Sequence, residues 1–111
     1  MQTSNFARNE KHSKAVAICL NAPWWWKGRM YPPLAPSASI LREYQLTGFG
    51  KELYTRRFNE EILAKLDAKK VFDELGDDAV LLCYESPGEF CHRRLVAEWF
   101  EKELGITVNE L

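Results

Sequence analysis

No apolar run in this 111-residue chain approaches the roughly 20 residues needed to cross a bilayer. The opening stretch, M-Q-T-S-N-F-A-R-N-E-K-H-S-K, is polar and lacks the apolar centre of a signal peptide. Both absences point to a cytoplasmic protein with no membrane partner. An excess of charge of one sign is missing too. With 15 basic and 16 acidic residues the net charge is −1, so no global basic field draws in DNA or RNA. Cysteine is scarce and odd in number. Three cysteines argue against a disulfide framework and predict free thiols. No internal repeat or low-complexity segment is present, and a chain this short has no room for two independent cores. Residues 1–111 therefore read as a single domain, with 1–13 a loose lead-in.

Apolar periodicity is where the sequence becomes informative. Lys14–Leu20 (K-A-V-A-I-C-L) and Ala79–Tyr84 (A-V-L-L-C-Y) are short and apolar nearly throughout, as strands covered on both faces are. Ile106-Thr107-Val108 predicts a short third strand. Ser37–Gln45 predicts a short helix capped by Ser37 or Ser39. Lys51–Leu66 predicts a longer one, with Tyr54, Phe58, Ile62 and Leu66 recurring every four residues. Thr47-Gly48-Phe49-Gly50 separates the two. Asp67 caps a further helix over Ala68–Leu75, which Gly76 ends. A last helix ends near Gly105. Strands separated by helices pair in parallel. The predicted fold is therefore α/β, a small three-layer sandwich around a mainly parallel sheet of three or slightly more strands.

In such sheets ligands bind beyond the carboxyl ends of the strands. That edge gathers Cys83-Tyr84-Glu85 from the second strand and Cys91-His92-Arg93-Arg94 from the last helix. On a helix, Cys91 and His92 share a face with Leu95 and Val96 and lean over the strand end. Arg93 falls at the border and Arg94 faces water. The helix start has two readings. Ser86-Pro87-Gly88-Glu89 fits a capping box, which puts Cys91 in the second turn. If 86–90 is a loop instead, Cys91 stands at the helix start, where amides and Arg93 favour a thiolate or a bound anion.

Three chemistries follow. Cys91 could act as a nucleophile. His92 and Glu85 could form an acid/base pair, the carboxylate orienting the imidazole. Arg93 with helix amides could hold a phosphate or carboxylate. Packing is the plainer reading of the same residues, with His92 bonded to Glu85, or Glu85 paired with Arg93. Cys19 and Cys83 read as small buried hydrophobes, Cys83 less firmly because it ends a strand. A structural zinc site from Cys83, Cys91 and His92 is a further alternative, but it lacks the paired C-x-x-C spacing, so neither a metal nor a cofactor is expected.

The second notable stretch is P-W-W-W-K-G-R-M-Y-P-P-L-A-P-S, a loop of about fifteen residues, longer than most in compact domains. Three adjacent tryptophans cannot all point inward, so at least one is exposed. One role for the loop is a ligand contact in the same cleft as Glu85–Arg93, with Trp25 stacking on a flat ring and Lys27 and Arg29 on its phosphates. The expected partner is then a small anion, phosphate or nucleotide. The alternative is a non-catalytic module whose tryptophans contact a protein or single-stranded nucleic acid. The simplest role is closure of the core edge.

The run L-L-C-Y-E-S-P-G-E-F-C-H-R-R-L-V-A-E-W resembles the signature of the family called domain of unknown function 488 (DUF488), an apolar strand ending in C-x-E followed by C-H-R at a helix start. Here these are Cys83, Glu85, Cys91, His92 and Arg93. A-V-A-I-C, the Pro-Trp loop, L-A-P-S and L-D-A-K-K-V-F-D-E-L-G extend the likeness to a short subgroup common in bacteria and their phages. The resemblance implies a compact three-layer α/β domain and a shared pocket around those five residues, with no established reaction. Longer members carry an arginine-bearing D-x-R element after an early strand, absent from the corresponding place here. If that element binds ligand, Lys27 or Arg29 replaces it here, or the ligand differs.

Overall fold

The computed structural model describes residues 1–47, 50–85 and 89–111. Its elements are β1 (Gln2–Asn5), α1 (Phe6–Asn9), β2 (Ala15–Ala17), β3 (Arg29–Met30), α2 (Ala38–Thr47), α3 (Lys51–Glu61), α4 (Ala68–Leu75), β4 (Val80–Cys83), α5 (His92–Leu104) and β5 (Asn109–Glu110). Short 3₁₀ turns cover Pro32–Leu34 and Leu63–Lys65. The five strands form one sheet in the order β3-β2-β4-β1-β5, every pair parallel. The α/β class holds, with a sheet wider than the minimal three strands. Among the described residues, no helix is long and apolar enough to cross a membrane.

The two predicted apolar strands are β2 and β4, which lie side by side with Val16 opposite Leu81. Every residue of both is buried. Alternation along them sorts the core into two halves. Val16, Ile18 and Leu81 face Tyr54 and Phe58 of α3, Val71 and Leu75 of α4, and Val96 and Phe100 of α5. Ala15, Ala17, Val80 and Leu82 face the other way, onto Phe6 and Trp26. The second covering layer is thin: the single turn of α1 and part of the tryptophan loop.

The helices follow their sequence signals closely. Ser37 Oγ accepts the Ile40 amide at 3.2 Å, starting α2. The Asp67 side chain accepts the amides of Lys69 and Lys70, and Gly76 ends α4 at φ 96. Gly105 ends α5 in the left-handed region, at φ 66 and ψ 28, where a β-carbon costs about 1 kcal/mol. The predicted Lys51–Leu66 helix breaks at Ile62 and continues as a 3₁₀ turn.

Two expectations are corrected. Residues 1–13 are not a loose lead-in, because they contain β1, which lies between β4 and β5. Its Q-T-S-N sequence carries no apolar signal, yet Thr3, Ser4 and Asn5 are buried. Their side chains all find partners: Thr3 in Glu110 across the sheet, Ser4 in Asn9, and Asn5 in the Arg8 amide of α1. The C-terminal strand is also displaced. The Val108 side chain enters the core, but its amide donates to the Glu101 carboxylate at 2.9 Å rather than to a strand. Sheet pairing therefore begins at Asn109, opposite Gln2.

Candidate functional site

At the carboxyl ends of β2 and β4 lies a cleft of about 240 Å³. That is below the roughly 300–1,000 Å³ of drug-sized sites and suits one small ring system. Cys19 and Asn21 follow β2, Cys83 and Glu85 end β4, and Cys91 and His92 open α5; all six line it. Its other wall is aromatic. Tyr44, Tyr54 and Phe90 pack there with ring centroids 5.2–5.8 Å apart, and Tyr84 completes the rim.

The helix start decides the position of Cys91. Its backbone is extended, at φ −151 and ψ 143, and α5 begins at the next residue, with the Arg94 amide bonded to the Cys91 carbonyl. Cys91 is thus the N-cap and not a residue of the second turn. The proposed capping-box residues Ser86, Pro87 and Gly88 lie outside the described residues, as do Gly48 and Phe49.

His92 is buried, its ring 5.5 Å from that of Phe58. Nε2 lies 2.7 Å from the Ile18 carbonyl oxygen, which can only accept, so Nε2 carries the proton. Burial pushes the imidazole pKa down to about 4, aided by the charge of Arg93 and opposed by the bond to Ile18. The ring is therefore neutral at physiological pH. Nδ1 holds a lone pair and sits 3.8 Å from Cys91 Sγ. Contrary to expectation, the Ile18 carbonyl and not the Glu85 carboxylate orients this imidazole.

Arg93 departs furthest from its predicted place. It is 1% exposed rather than at the border, and its charge is spent on Glu110 through Nε and Nη2, with contacts of 2.6–3.1 Å. Nη1 donates to Cys83 Sγ at 3.1 Å and to the Glu85 carbonyl at 2.9 Å. Arg94 is half-buried rather than turned wholly to water, and it bonds Thr3 Oγ1 and the Val108 carbonyl. Burial pushes the Glu110 carboxyl up, but the hydrogen bonds from Arg93 and Thr3 and the charges of both arginines outweigh it and hold it below its ordinary range.

The cysteines divide two and one. Cys83 and Cys91 are joined as a disulfide, which corrects the expectation of free thiols for that pair. An odd count allows one bridge and one leftover, and the turn between β4 and α5 brings those two sulfurs together. Cys19 is free and buried. Desolvation raises its thiol to about 11 despite a backbone hydrogen bond, and the Glu85 charge adds to the rise, so it is a poor nucleophile.

The tryptophan loop does not share the cleft. Trp25 and Trp26 pack edge-on against Phe6, with centroids 5.9 and 5.2 Å away, closing the thin face of the sheet. Trp24 is 94% exposed, the outward residue the sequence requires. Lys27 borders a separate concavity beside Trp25 and Trp26. Arg29 bonds the carbonyls of Glu74 and Leu75 at the end of α4. The proposed grouping of Trp25, Lys27 and Arg29 with Glu85–Arg93 therefore fails: the loop crosses the Phe6 face of the sheet and returns to the amino ends of the strands, where Arg29 opens β3 opposite Val16. No Lys or Arg lines the cleft among the described residues.

Two contributors escaped the sequence reading. Asn5, opposite Cys83 in the sheet, donates to the Glu85 carbonyl at 3.1 Å. Arg8, just beyond β1, is an arginine after an early strand, but it bonds the Leu111 carbonyl instead of entering the cleft. Asn5 ends the polar strand β1 and Arg8 lies in the α1 turn after it, within the stretch that reads as unstructured.

A family model described as "Active DUF488-N3 subclade" (DUF488-N3a) matches residues 7–104. No curated protein and no solved structure matches the chain. The matched span takes in β2, β4, the cleft and all of α5. The chain belongs to the DUF488 family.

Proposed function

We propose that the cleft is the active site of a cytoplasmic enzyme acting on a small, ring-bearing molecule, with Cys91 as nucleophile and His92 as its base. One observation carries this reading: the proton-free Nδ1 of a neutral imidazole faces Cys91 Sγ at 3.8 Å on the floor of a concave, aromatic-walled site. In the cytoplasm thiols are kept reduced. With the Cys83–Cys91 bond reduced, the Cys91 thiol proton passes to Nδ1, and the thiolate forms a bond to an electrophilic carbon as the leaving group departs. Glu85 is the cleft's one carboxylate among the described residues, suited to accept the proton of the water that later releases the product.

The wall of Tyr44, Tyr54, Tyr84 and Phe90 favours a flat ring of nucleobase size, and the lining without Lys or Arg favours its uncharged end over a phosphate. The subclade's description as active supports an enzyme over a degenerate relative.

The test is iodoacetamide labelling of the reduced, metal-free protein, mapped by mass spectrometry. Cys91 should label well ahead of Cys19. His92→Gln, whose amide can keep the bond to Ile18 but offers no base, should slow Cys91 at least about tenfold. Equal labelling of the two cysteines, or indifference to His92→Gln, removes the thiol mechanism.

A second reading keeps one observation in its favour. Trp24, 94% exposed, is suited to contact a partner protein or single-stranded nucleic acid. Quenching of its fluorescence by added oligonucleotide would support that role, and an unchanged spectrum would remove the nucleic-acid version.

A further inference from the structure

We infer that the reduced floor of the cleft is a zinc site, with Cys83, Cys91 and His92 as its protein ligands and a fourth position open to the cleft. One donor atom from each of the three residues lies within 4.8 Å of the others, and all three residues are buried. A carbonyl on one imidazole nitrogen, leaving the other bare toward two sulfurs, is the usual outer support of a metal-bound histidine. Nη1 of Arg93, 3.1 Å from Cys83 Sγ, supplies an N–H···S bond that tempers the charge of a bound thiolate.

The backbone spacing fits as well. The Cα atoms of Cys83 and Cys91 stand 7.6 Å apart, beyond the about 4.4–6.8 Å usual for disulfides. Two thiolates on one tetrahedral zinc, each at about 2.3 Å, hold their sulfurs about 3.8 Å apart. The wide backbone spacing suits that separation. Paired C-x-x-C spacing is not needed, because a strand end and a helix start converge on one point.

The chemistry balances simply. An external dithiol supplies two electrons and two protons to the disulfide and leaves as its own disulfide. Zinc then displaces one proton from each thiol. Two sulfurs and one nitrogen select a borderline-soft ion over magnesium or calcium. Three protein ligands with an open place are the pattern of zinc sites that hold a water or substrate. This goes beyond the thiol reading, since in the loaded protein Cys91 is a ligand and no longer attacks.

The experiment titrates the reduced protein anaerobically with Co(II), a spectroscopic substitute for zinc. One equivalent should bring up thiolate-to-cobalt charge-transfer absorption, which zinc then bleaches. Cys83→Ser and His92→Gln, checked for folding by circular dichroism, should each weaken binding at least about tenfold, while Cys19→Ser leaves it unchanged. Zinc loading should also suppress alkylation of Cys91. Absence of the charge-transfer band, or a band indifferent to Cys83→Ser and His92→Gln, overturns the site. The labelling of metal-free protein described above is independent of this result, so either reading can fail alone.

Discussion

Arg93 grips Glu85 by its main chain and not by its carboxylate: Nη1 donates to the Glu85 carbonyl at 2.9 Å, beside the Asn5 amide group that donates to the same oxygen. Two buried donors thus fix the backbone at the end of β4, and the Glu85 side chain is left to the cleft. The residue that first suggests an anion-binding arginine is instead part of the frame of the site.

That frame can be weighed. Arg93→Met keeps much of the side-chain volume but removes the bonds to Glu110, Cys83 and Glu85. Breaking a buried pair costs roughly 3–5 kcal/mol, and the partial exposure of Glu110 puts the expectation near the lower figure, about 3 kcal/mol. Urea unfolding should show it, and a loss under about 1 kcal/mol would contradict the structural role of Arg93.

Glu110 makes stability depend on acid. Its folded pKa is held below its unfolded value of 4.5, so its contribution is complete above that pH and drains away as pH falls through the folded value. Glu110→Gln should therefore destabilise at neutral pH, and the gap from the parent protein should narrow as pH falls through the lowered folded value. A gap that widens on acidification would mean that Glu110 is not held ionised by Arg93.

Asn5 joins two tasks, capping α1 through its oxygen and holding Glu85 through its nitrogen. Asn5→Asp keeps the cap but replaces the donor with an acceptor against the Glu85 carbonyl. A cost of about 1–3 kcal/mol is expected, with a parallel fall in Cys91 labelling as the cleft edge shifts. Full retention of both would show that Asn5 is not part of the site's support.

The tryptophans should separate cleanly. Trp24→Ala should change stability by less than about 0.5 kcal/mol, as an exposed substitution does. Trp26→Ala strips a ring from Phe6 and from the cover of the sheet, and should cost about 2 kcal/mol or more. Equal effects in a thermal scan would mean that the loop does not close the second face.

These contrasts mark what the residues announced. β2, β4, α4 and α5 were legible because their apolar positions recur at fixed periods and Asp67, Gly76 and Gly105 punctuate them. Cys83, Glu85, Cys91 and His92 were legible as one cluster because a strand end and a helix start adjoin in sequence. β1 was not, since Thr3, Ser4 and Asn5 are buried as polar groups whose partners, such as Glu110, lie far along the chain. Nor was the depth of Arg93, which depends on Glu110 at the other end of the sheet. The path of the tryptophan loop is not legible either: it covers the sheet face that α1 leaves short of aromatic area, and it returns to the amino ends of the strands so that Arg29 can open β3 opposite Val16.

Both proposed roles of the cleft depend on the protonation of one ring, and nitrogen-15 NMR of the reduced, metal-free protein at about pH 6 reads it directly. His92 should appear neutral with its single proton on Nε2, bonded to Ile18 and leaving Nδ1 bare toward Cys91. A doubly protonated ring, or a proton on Nδ1, would contradict both the base and the zinc ligand assigned to it.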